Sequence, residues 1–389
     1  MEIGFTETQS EIRELARQIA EEQVKPVRAK LDEEEVYPRE IMKLLGEVGL
    51  SGVYIPEEYG GLGGGITELC IVTEELSRIC LGVSTAYAGS GLGTMPLLVS
   101  GNEDQRKRYL PKLASGEYIG AFCLTEAAAG SDAAALQTTA TKDGTDWILN
   151  GTKLWVTNGG EADLYTIVAV TDKTRGMRGV SAFLVEKGSP GFTFGKKEKK
   201  LGIRCSATCE CIFDECKVPS ENLLGREGAG FVTTIKTLDQ ARIGVGAQAV
   251  GLSQGALEEA LHYSRVREQF GKPIASFQAI QHMLADMATE IEAARAFLYH
   301  ISRAVDKGTK SFSRHASMIK LFASEMAMRI TVDAVQIFGG YGFMRDYPVE
   351  KMMRDAKILQ IYEGTNQIQR NNIALDLIQE DASRRKRKK

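Results

Sequence analysis

Apolar residues recur at a helical period from the start of the chain. Thr6 precedes a run with Ile12, Leu15, Ile19 and Val24 on one side, the spacing of an amphipathic helix. Residues 32–35 and Pro38 interrupt that run, and helical patterning then continues to about residue 118. From about 119 to 226 the period shortens. Residues 147–157 form two short apolar runs around Asn150-Gly151, which predicts a β-hairpin turning at that dipeptide. The stretches 164–170 and 180–185 are rich in β-branched residues and predict further strands. From Gly228 the helical period returns over long segments. Leu284, Met287, Ile291, Leu298 and Ile301 share one face. Such stripes predict a packed bundle, with one face available to another subunit. The expected division is 1–118 helical, 119–226 β, 227–383 a helical bundle and 384–389 a basic tail. The fold class is therefore mainly α with a central β domain. Past Leu377 and Ile378 the pattern stops, and the like charges of 384–389 predict a solvated, disordered end.

Composition changes this picture little. The 389 residues suffice for two or three domains and a large core. A content of 43% hydrophobic and 25% charged residues suits a soluble globular chain. A net charge of −3 offers nothing that calls for nucleic acid or an anionic membrane. No apolar run is long enough to span a bilayer. The start, Met1-Glu2-Ile3-Gly4-Phe5, lacks a signal-peptide pattern, so a cytoplasmic protein is expected. Cys205, Cys209, Cys211 and Cys216 lie close in sequence but lack CxxC spacing and a nearby His. They read as buried free thiols, and no metal site is expected. Gly60-Gly61-Leu62-Gly63-Gly64-Gly65 lacks the βαβ surroundings of a dinucleotide fingerprint and reads as a flexible turn.

Five segments carry candidate chemistry. Ile361-Tyr362-Glu363-Gly364-Thr365-Asn366-Gln367 sets a carboxylate directly before a glycine. A glutamate in a dry pocket there has its pKa raised toward that of a general base. In the stretch from Ala121 to Asp132, a strand runs into small and hydroxylated residues. Their N–H and hydroxyl groups can bond a planar polar ring or a phosphate, or form an ordinary turn. Trp155 in Trp155-Val156-Thr157-Asn158-Gly159-Gly160 either stacks on a ring or fills the core. Asp239 and Arg242, three apart on a helix, most simply make a surface ion pair. Arg265-Val266-Arg267-Glu268-Gln269-Phe270-Gly271-Lys272-Pro273 offers an Arg fork for pyrophosphate, or a helix end closed by Gly271 and Pro273.

In chain order, and joined by Gln336-Ile337-Phe338-Gly339-Gly340-Tyr341-Gly342 and Met353-Arg354-Asp355-Ala356-Lys357, these segments resemble the acyl-CoA dehydrogenase family of flavoproteins. The resemblance covers nearly the whole chain. It implies a helical N-terminal domain, a β-barrel-like middle domain and a C-terminal helical bundle, with FAD between the last two. By resemblance, Phe122, Leu124 and Thr125 contact flavin, and Ser131 contacts flavin or CoA. Ala127 stands where the family's TEPxAGSD motif usually has proline. Trp155 lies against the flavin and Thr157 near its reactive nitrogens, with Thr365 and Gln367 completing that set. Arg267, Phe270, Gln278, Gln336, Gly339 and Gly340 bind the FAD of a neighbouring subunit, so cofactor binding involves a homotetramer. Asp239, Arg242, Tyr362 and Gly364 serve the acyl-CoA.

The implied reaction is α,β-dehydrogenation of an acyl-CoA. Glu363 takes the α proton while the β hydrogen leaves as hydride to flavin. Its own backbone N–H and a flavin ribityl hydroxyl stabilise the enolate-like oxygen. One family branch places the base just before the Arg of the 238–242 segment; here Ala241 stands there, which leaves Glu363. Electrons pass to an electron-transferring flavoprotein. The small residues of 87–93 resemble a roomy acyl pocket, whereas 191–198 resembles short-chain, butyryl-CoA-type members. A branched or cyclic acyl group, and an acyl-CoA oxidase that hands electrons to O₂, are the alternatives. The basic tail alone suggests a DNA-associated relative, against which Glu363 argues.

Overall fold

A computed structural model describes residues 4–387. Six helices open the chain: α1 (Glu7–Ile19), α2 (Arg28–Glu33), α3 (Arg39–Glu47), α4 (Ile66–Ile79), α5 (Leu81–Ser100) and α6 (Glu103–Ala114). Thr6 starts α1 through a capping box. Its hydroxyl accepts from Gln9 N at 3.2 Å, and the Gln9 side chain accepts from Thr6 N at 3.1 Å. Ile12, Ala16 and Ile19 form the buried face. The glycine-rich segment is a turn into α4, pinned by Leu62 N to Gly52 O (3.0 Å), Gly63 N to Ile55 O (2.9 Å) and Gly64 N to Val53 O (3.0 Å).

Eight strands follow: β1 (Gly120–Cys123), β2 (Thr139–Asp143), β3 (Asp146–Thr157), β4 (Leu164–Val170), β5 (Val180–Glu186), β6 (Phe192–Lys197), β7 (Thr208–Val218) and β8 (Leu223–Leu224). They form one sheet in the order β6-β7-β3-β2-β4-β5-β8. Both β1 and β2 run parallel to β4. β1 pairs with its first half and β2 only at Val170, so the 124–138 loop leaves the sheet between them. Cys209, Cys211 and Phe213 alternate inward along β7. Cys205, Cys209, Cys211 and Cys216 are buried free thiols, as expected, and so are Cys70, Cys80 and Cys123.

The hairpin expected at Asn150-Gly151 is not there. β3 runs straight through that dipeptide, and the chain reverses one turn earlier, at Gly144-Thr145 between the paired Asp143 and Asp146. Gly144 has φ +62, the conformation a two-residue loop with glycine first requires. Asn150 is instead occupied across the sheet. Its Oδ1 accepts from Glu215 N at 2.8 Å and its Nδ2 donates to Glu215 Oε1 at 2.7 Å. Pairing with β7 shifts register beside it, between Leu149 and Gly151.

The C-terminal part is built on α7 (Gly230–Val266), 37 residues long, with a small hairpin of β9 (Glu268–Gln269) and β10 (Lys272–Pro273) after it. Then come α8 (Gln278–Asp306), α9 (Ser313–Phe338), α10 (Val349–Ala356) and α11 (Asn366–Arg387). The predicted stripe on α8 is buried at Met287, Ile291, Leu298 and Ile301. α7 crosses α4 almost backbone to backbone. A Cβ on Gly251 would sit 2.1 Å from Glu74 O, and one on Gly255 1.9 Å from Arg78 O. Beside this crossing Glu74 is buried but paired, accepting from Arg295 Nε at 2.8 Å and Tyr299 Oη at 2.7 Å. That satisfaction is what lets a carboxylate enter a core.

Two terminal expectations change. α7 ends at Val266 with Arg267 as its extended cap, so Gly271 and Pro273 belong to the following hairpin rather than the helix end. The helical pattern does not stop at Ile378, and the tail is not disordered to its end. α11 continues to Arg387, and Arg384 and Arg385 pair with Glu380 (2.5 Å) and Asp381 (2.8 Å) one turn back. Those acidic partners relieve the like-charge repulsion. Lys388 and Lys389 lie outside the described residues. No helix among the described residues is long and apolar enough to cross a membrane.

Candidate active site

The IYEGT segment joins α10 to α11. Glu363 has φ +54 and Gly364 φ +89. The second value is cheap only for glycine; the first costs a glutamate about 1–2 kcal/mol. The strain persists because three helices hold the adjoining carbonyls. Gln369 Nε2 on α11 donates to Glu363 O at 3.1 Å and Gly364 O at 2.8 Å. Lys320 Nζ on α9 donates to Gly364 O at 2.8 Å and Asn366 Oδ1 at 2.7 Å. Arg242 Nε on α7 donates to Glu363 O at 3.4 Å.

The turn aims the side chain at a narrow apolar pocket between α4, α5 and α7, ≈ 40 Å³ inside. Leu69, Ala88, Gly89, Leu92 and Met95 line it, with Thr157, Ala241, Gly244 and Glu363. Its polar end is a chain of three groups. Tyr362 Oη donates to Gln248 Oε1 at 2.5 Å, and Gln248 Nε2 donates to Thr85 Oγ1 at 3.4 Å. Glu363 Oε2 is buried without a hydrogen-bond partner. Burial pushes the Glu363 carboxyl above the usual carboxylate range, against the pull of Arg242 and Lys320. A buried, unsatisfied carboxylate oxygen in an apolar pocket is what a general base requires. Burial also pushes the Lys320 ammonium down to about 7, with Arg242 adding to the fall and Glu363 opposing it.

Asp239 and Arg242 are not a surface pair. They are 8% and 5% exposed, 2.7 Å apart, and Asp239 also accepts from Ser313 Oγ at 2.8 Å. They are buried because they back the IYEGT turn.

The second group of expected residues lies on the middle sheet. The 124–138 loop is tied down from inside. The Glu126 carboxylate accepts from Gln137 N (2.7 Å), Thr138 N (3.0 Å) and Lys153 Nζ (2.6 Å), and Lys153 Nζ also donates to Leu124 O (3.1 Å). Lys153 holds the Glu126 carboxyl below its usual value although burial opposes this. Leu154 N donates to Thr125 O at 2.8 Å, which brings Thr125 beside β3. There Trp155 projects outward, 60% exposed at φ +53, where pairing with β7 shifts between Lys153 and Val156. The buried core tryptophan is Trp147, and Trp155 is free to receive a ring. Phe122, Leu124, Thr125 and Thr157 are half-buried, and Ser131 is exposed on the loop. Thr157 joins this edge to the pocket, its Cγ2 packing at Gly89 of α5.

The third group lies elsewhere. Arg267, Gly339 and Gly340 meet in a groove of ≈ 530 Å³ with Tyr263, Phe338 and Tyr341. The Arg267 guanidinium is 5.4 Å from the Tyr341 ring centre. Phe270, 92% exposed at φ +54, stands at the tip of the β9–β10 hairpin. Gln278 and Gln336 are exposed at the start of α8 and the end of α9. Thr365 is half-buried ahead of α11, where its hydroxyl accepts from Ile368 N at 3.3 Å; Gln367 is exposed.

Sequence reasoning missed Gln248, Thr85, Lys153 and Lys320. Lys320 left a faint signal, a cation flanked by apolar residues in Ile319-Lys320-Leu321, whereas Lys153, between Thr152 and Leu154, left none.

Three family models match in chain order: "Acyl-CoA dehydrogenase, N-terminal domain" over residues 6–117, "middle domain" over 121–216 and "C-terminal domain" over 228–378. A short-chain-specific acyl-CoA dehydrogenase of Clostridium acetobutylicum is 45% identical over 372 residues, 95% of this chain and 98% of that one. The structure of butyryl-CoA dehydrogenase from Megasphaera elsdenii superposes with a TM-score of 0.95 at 44% identity, covering 97% of this chain and 100% of that one. A chain solved in work on the electron transferring flavoprotein of Acidaminococcus fermentans and flavin-based electron bifurcation gives a TM-score of 0.95 at 48% identity, covering 97% and 99%.

Proposed function

We propose that this chain, which belongs to the acyl-CoA dehydrogenase family, oxidises a short-chain acyl-CoA to its trans-2-enoyl-CoA with FAD, and passes the electrons to an electron-transferring flavoprotein. The observation that carries the reading is Glu363: a carboxylate with an unbonded oxygen, facing an apolar pocket beside an exposed tryptophan.

The residues present suit a flavin. Trp155 offers an uncovered ring, Leu124 and Thr125 flank it, and Thr157 lies between that edge and the base's pocket. A flavin held there would supply the acceptor for the β hydrogen, which leaves as hydride. The chain's own residues do the rest. Glu363 Oε2 takes the α proton, and its raised pKa makes it a stronger base than an exposed carboxylate. The backbone N–H of Glu363 donates to the thioester oxygen as charge develops there. Asp239 and Arg242 serve the acyl-CoA from behind, by holding the base's peptide. Leu69, Leu92 and Met95 exclude water from the acyl chain, and the Tyr362–Gln248 bond closes the pocket end. The apolar lining suits an acyl chain, and the likeness to butyryl-CoA dehydrogenase favours a short one.

The purified protein with its flavin, given acyl-CoA thioesters of graded length and an artificial electron acceptor, tests this. Butyryl-CoA and its neighbours should bleach the flavin fastest. Bleaching only by long or branched thioesters would remove the chain-length reading, and none at all would remove the dehydrogenation. Rapid peroxide formation in air would make the protein an oxidase instead.

The groove at Arg267 is read as holding part of a flavin bound mainly to a neighbouring copy, within a homotetramer. An Arg fork beside exposed backbone at Gly339 and Gly340 suits a pyrophosphate. Arg267→Ala should therefore lower flavin content and dissociate the oligomer together, as read by absorbance across a size-exclusion peak. A monomer that keeps all its flavin would contradict the shared site.

A further inference from the structure

We propose that Lys320 is a positioning residue for the catalytic base: from α9 its ammonium holds the Gly364 carbonyl and Asn366, fixing the direction of Glu363 and supplying a positive charge beside its carboxylate. The inference rests on the reading of Glu363 as the base.

Lys320 is fully buried, and its ammonium bonds are made to the loop that carries the base, 43 to 46 residues further on. A buried lysine is costly and seldom kept without a partner. A structural lysine would pair with a carboxylate at hydrogen-bond distance, as Lys153 does with Glu126. Lys320 has no such ion pair among the described residues. It donates to a carbonyl and to an amide that is itself locked, since Ser324 Oγ donates to Asn366 Oδ1 at 3.1 Å and accepts from Asn366 Nδ2 at 3.0 Å. Its charge is therefore left to act on what lies near. The charged groups facing it are Glu363 on the loop, Arg242 on α7 and Glu325 on its own helix. Arg242 is engaged by Asp239, and Glu325 by Arg370 of α11 at 2.6 Å. Glu363, with a free oxygen, is the partner left.

The sign follows. Below about 7 Lys320 carries its proton, and over that range a cation beside Glu363 favours its ionised form, so replacing Lys320 by a neutral residue raises the pH at which the base loses its proton. Lys320→Met keeps the stem and removes the charge. Gly364 O retains Gln369 as a donor and Asn366 retains Ser324, so the fold has few groups left unpaired. Lys320→Gln keeps a donor without the charge.

The test measures flavin bleaching in single turnovers across pH, with butyryl-CoA, for the native enzyme, both variants and Glu363→Gln. In both lysine variants the acid limb should move up by about one pH unit. The rate at its plateau should fall between about ten- and a hundredfold in Lys320→Met through lost alignment, with partial recovery in Lys320→Gln. The infrared band of the protonated Glu363 carboxyl, identified by its loss in Glu363→Gln, should follow the same shift without turnover. An acid limb and a carboxyl band unmoved in both variants would overturn the proposal. So would failure of both variants to fold and hold flavin, which would assign Lys320 to the fold alone. If Glu363→Gln itself turned over normally, the reading of the base would fall first, a separate outcome.

Discussion

Glu363→Gln is expected to retain its flavin and lose nearly all turnover. General bases contribute roughly 10²–10⁴-fold, and the loss is larger where no neighbour can substitute. None stands ready here. Ala241 occupies the family's other base position, and Asp239 is already engaged by Arg242 and Ser313. The amide matches the carboxylate in shape, and the turn is held through carbonyls that the substitution leaves in place. Stability should not suffer. The folded-state pKa of Glu363 is raised, chiefly by burial, so the native protein loses stability as pH rises through the interval above the carboxyl's ordinary value. A neutral amide escapes that loss, and at neutral pH the variant should unfold no earlier than the native protein. Stopped-flow bleaching and a thermal melt check both halves. Bleaching at near the native rate would mean that another group takes the proton.

Gly255→Ala is expected to be among the most damaging single methyls in the described structure. Its Cβ would lie 1.9 Å from Arg78 O, a main-chain atom that cannot rotate away. Overpacking a well-fitted core typically costs about 1–3 kcal/mol, and a clash with main chain belongs at or beyond the top of that range. α7 and α4 would have to part at the crossing, where Glu74, Arg295 and Tyr299 form their buried network. Both helices also line the pocket that Glu363 faces, through Leu69 and Thr73 on one side and Gly244 and Gln248 on the other. The denaturant midpoint should fall and catalytic activity with it. Gly244→Ala on the same helix, where a Cβ meets nothing within 4 Å, is the control that should keep its stability. An unchanged midpoint for Gly255→Ala would mean that the helices are not in contact there.

The sequence reveals what depends on neighbours along the chain and conceals what depends on neighbours across it. The stripe on α8 is a local periodicity, and it appears where expected. Asn150-Gly151 looked like a turn because turn statistics are local; its side chain is claimed by Glu215, 65 residues away. The two tryptophans show the same limit. Nothing in their immediate surroundings says that Trp147 is buried and Trp155 exposed, since that choice is made by where β3 slips against β7. Asp239 and Arg242 carry the spacing of an ordinary surface pair and are buried because a distant turn packs on them. Glu363 was legible because its chemistry lies in one short run of residues. Lys320 was not, because its meaning comes from carbonyl and amide groups on another segment.

The length of α7 has a genetic consequence. At 1.5 Å per residue, Gly244 at the pocket of Glu363 and Arg267 at the groove are roughly 35 Å apart along α7. The two therefore line separate sites within one copy. A copy lacking Glu363 and a copy lacking Arg267 are thus defective in different sites. Expressed together, the two inactive alleles should complement each other if the proposed shared site holds: a mixed assembly would then contain pockets in which an intact base meets a flavin gripped by an intact arginine from the other allele. Activity restored by coexpression, and absent when the separately purified proteins are mixed without exchanging subunits, would turn a distance along a helix into a phenotype.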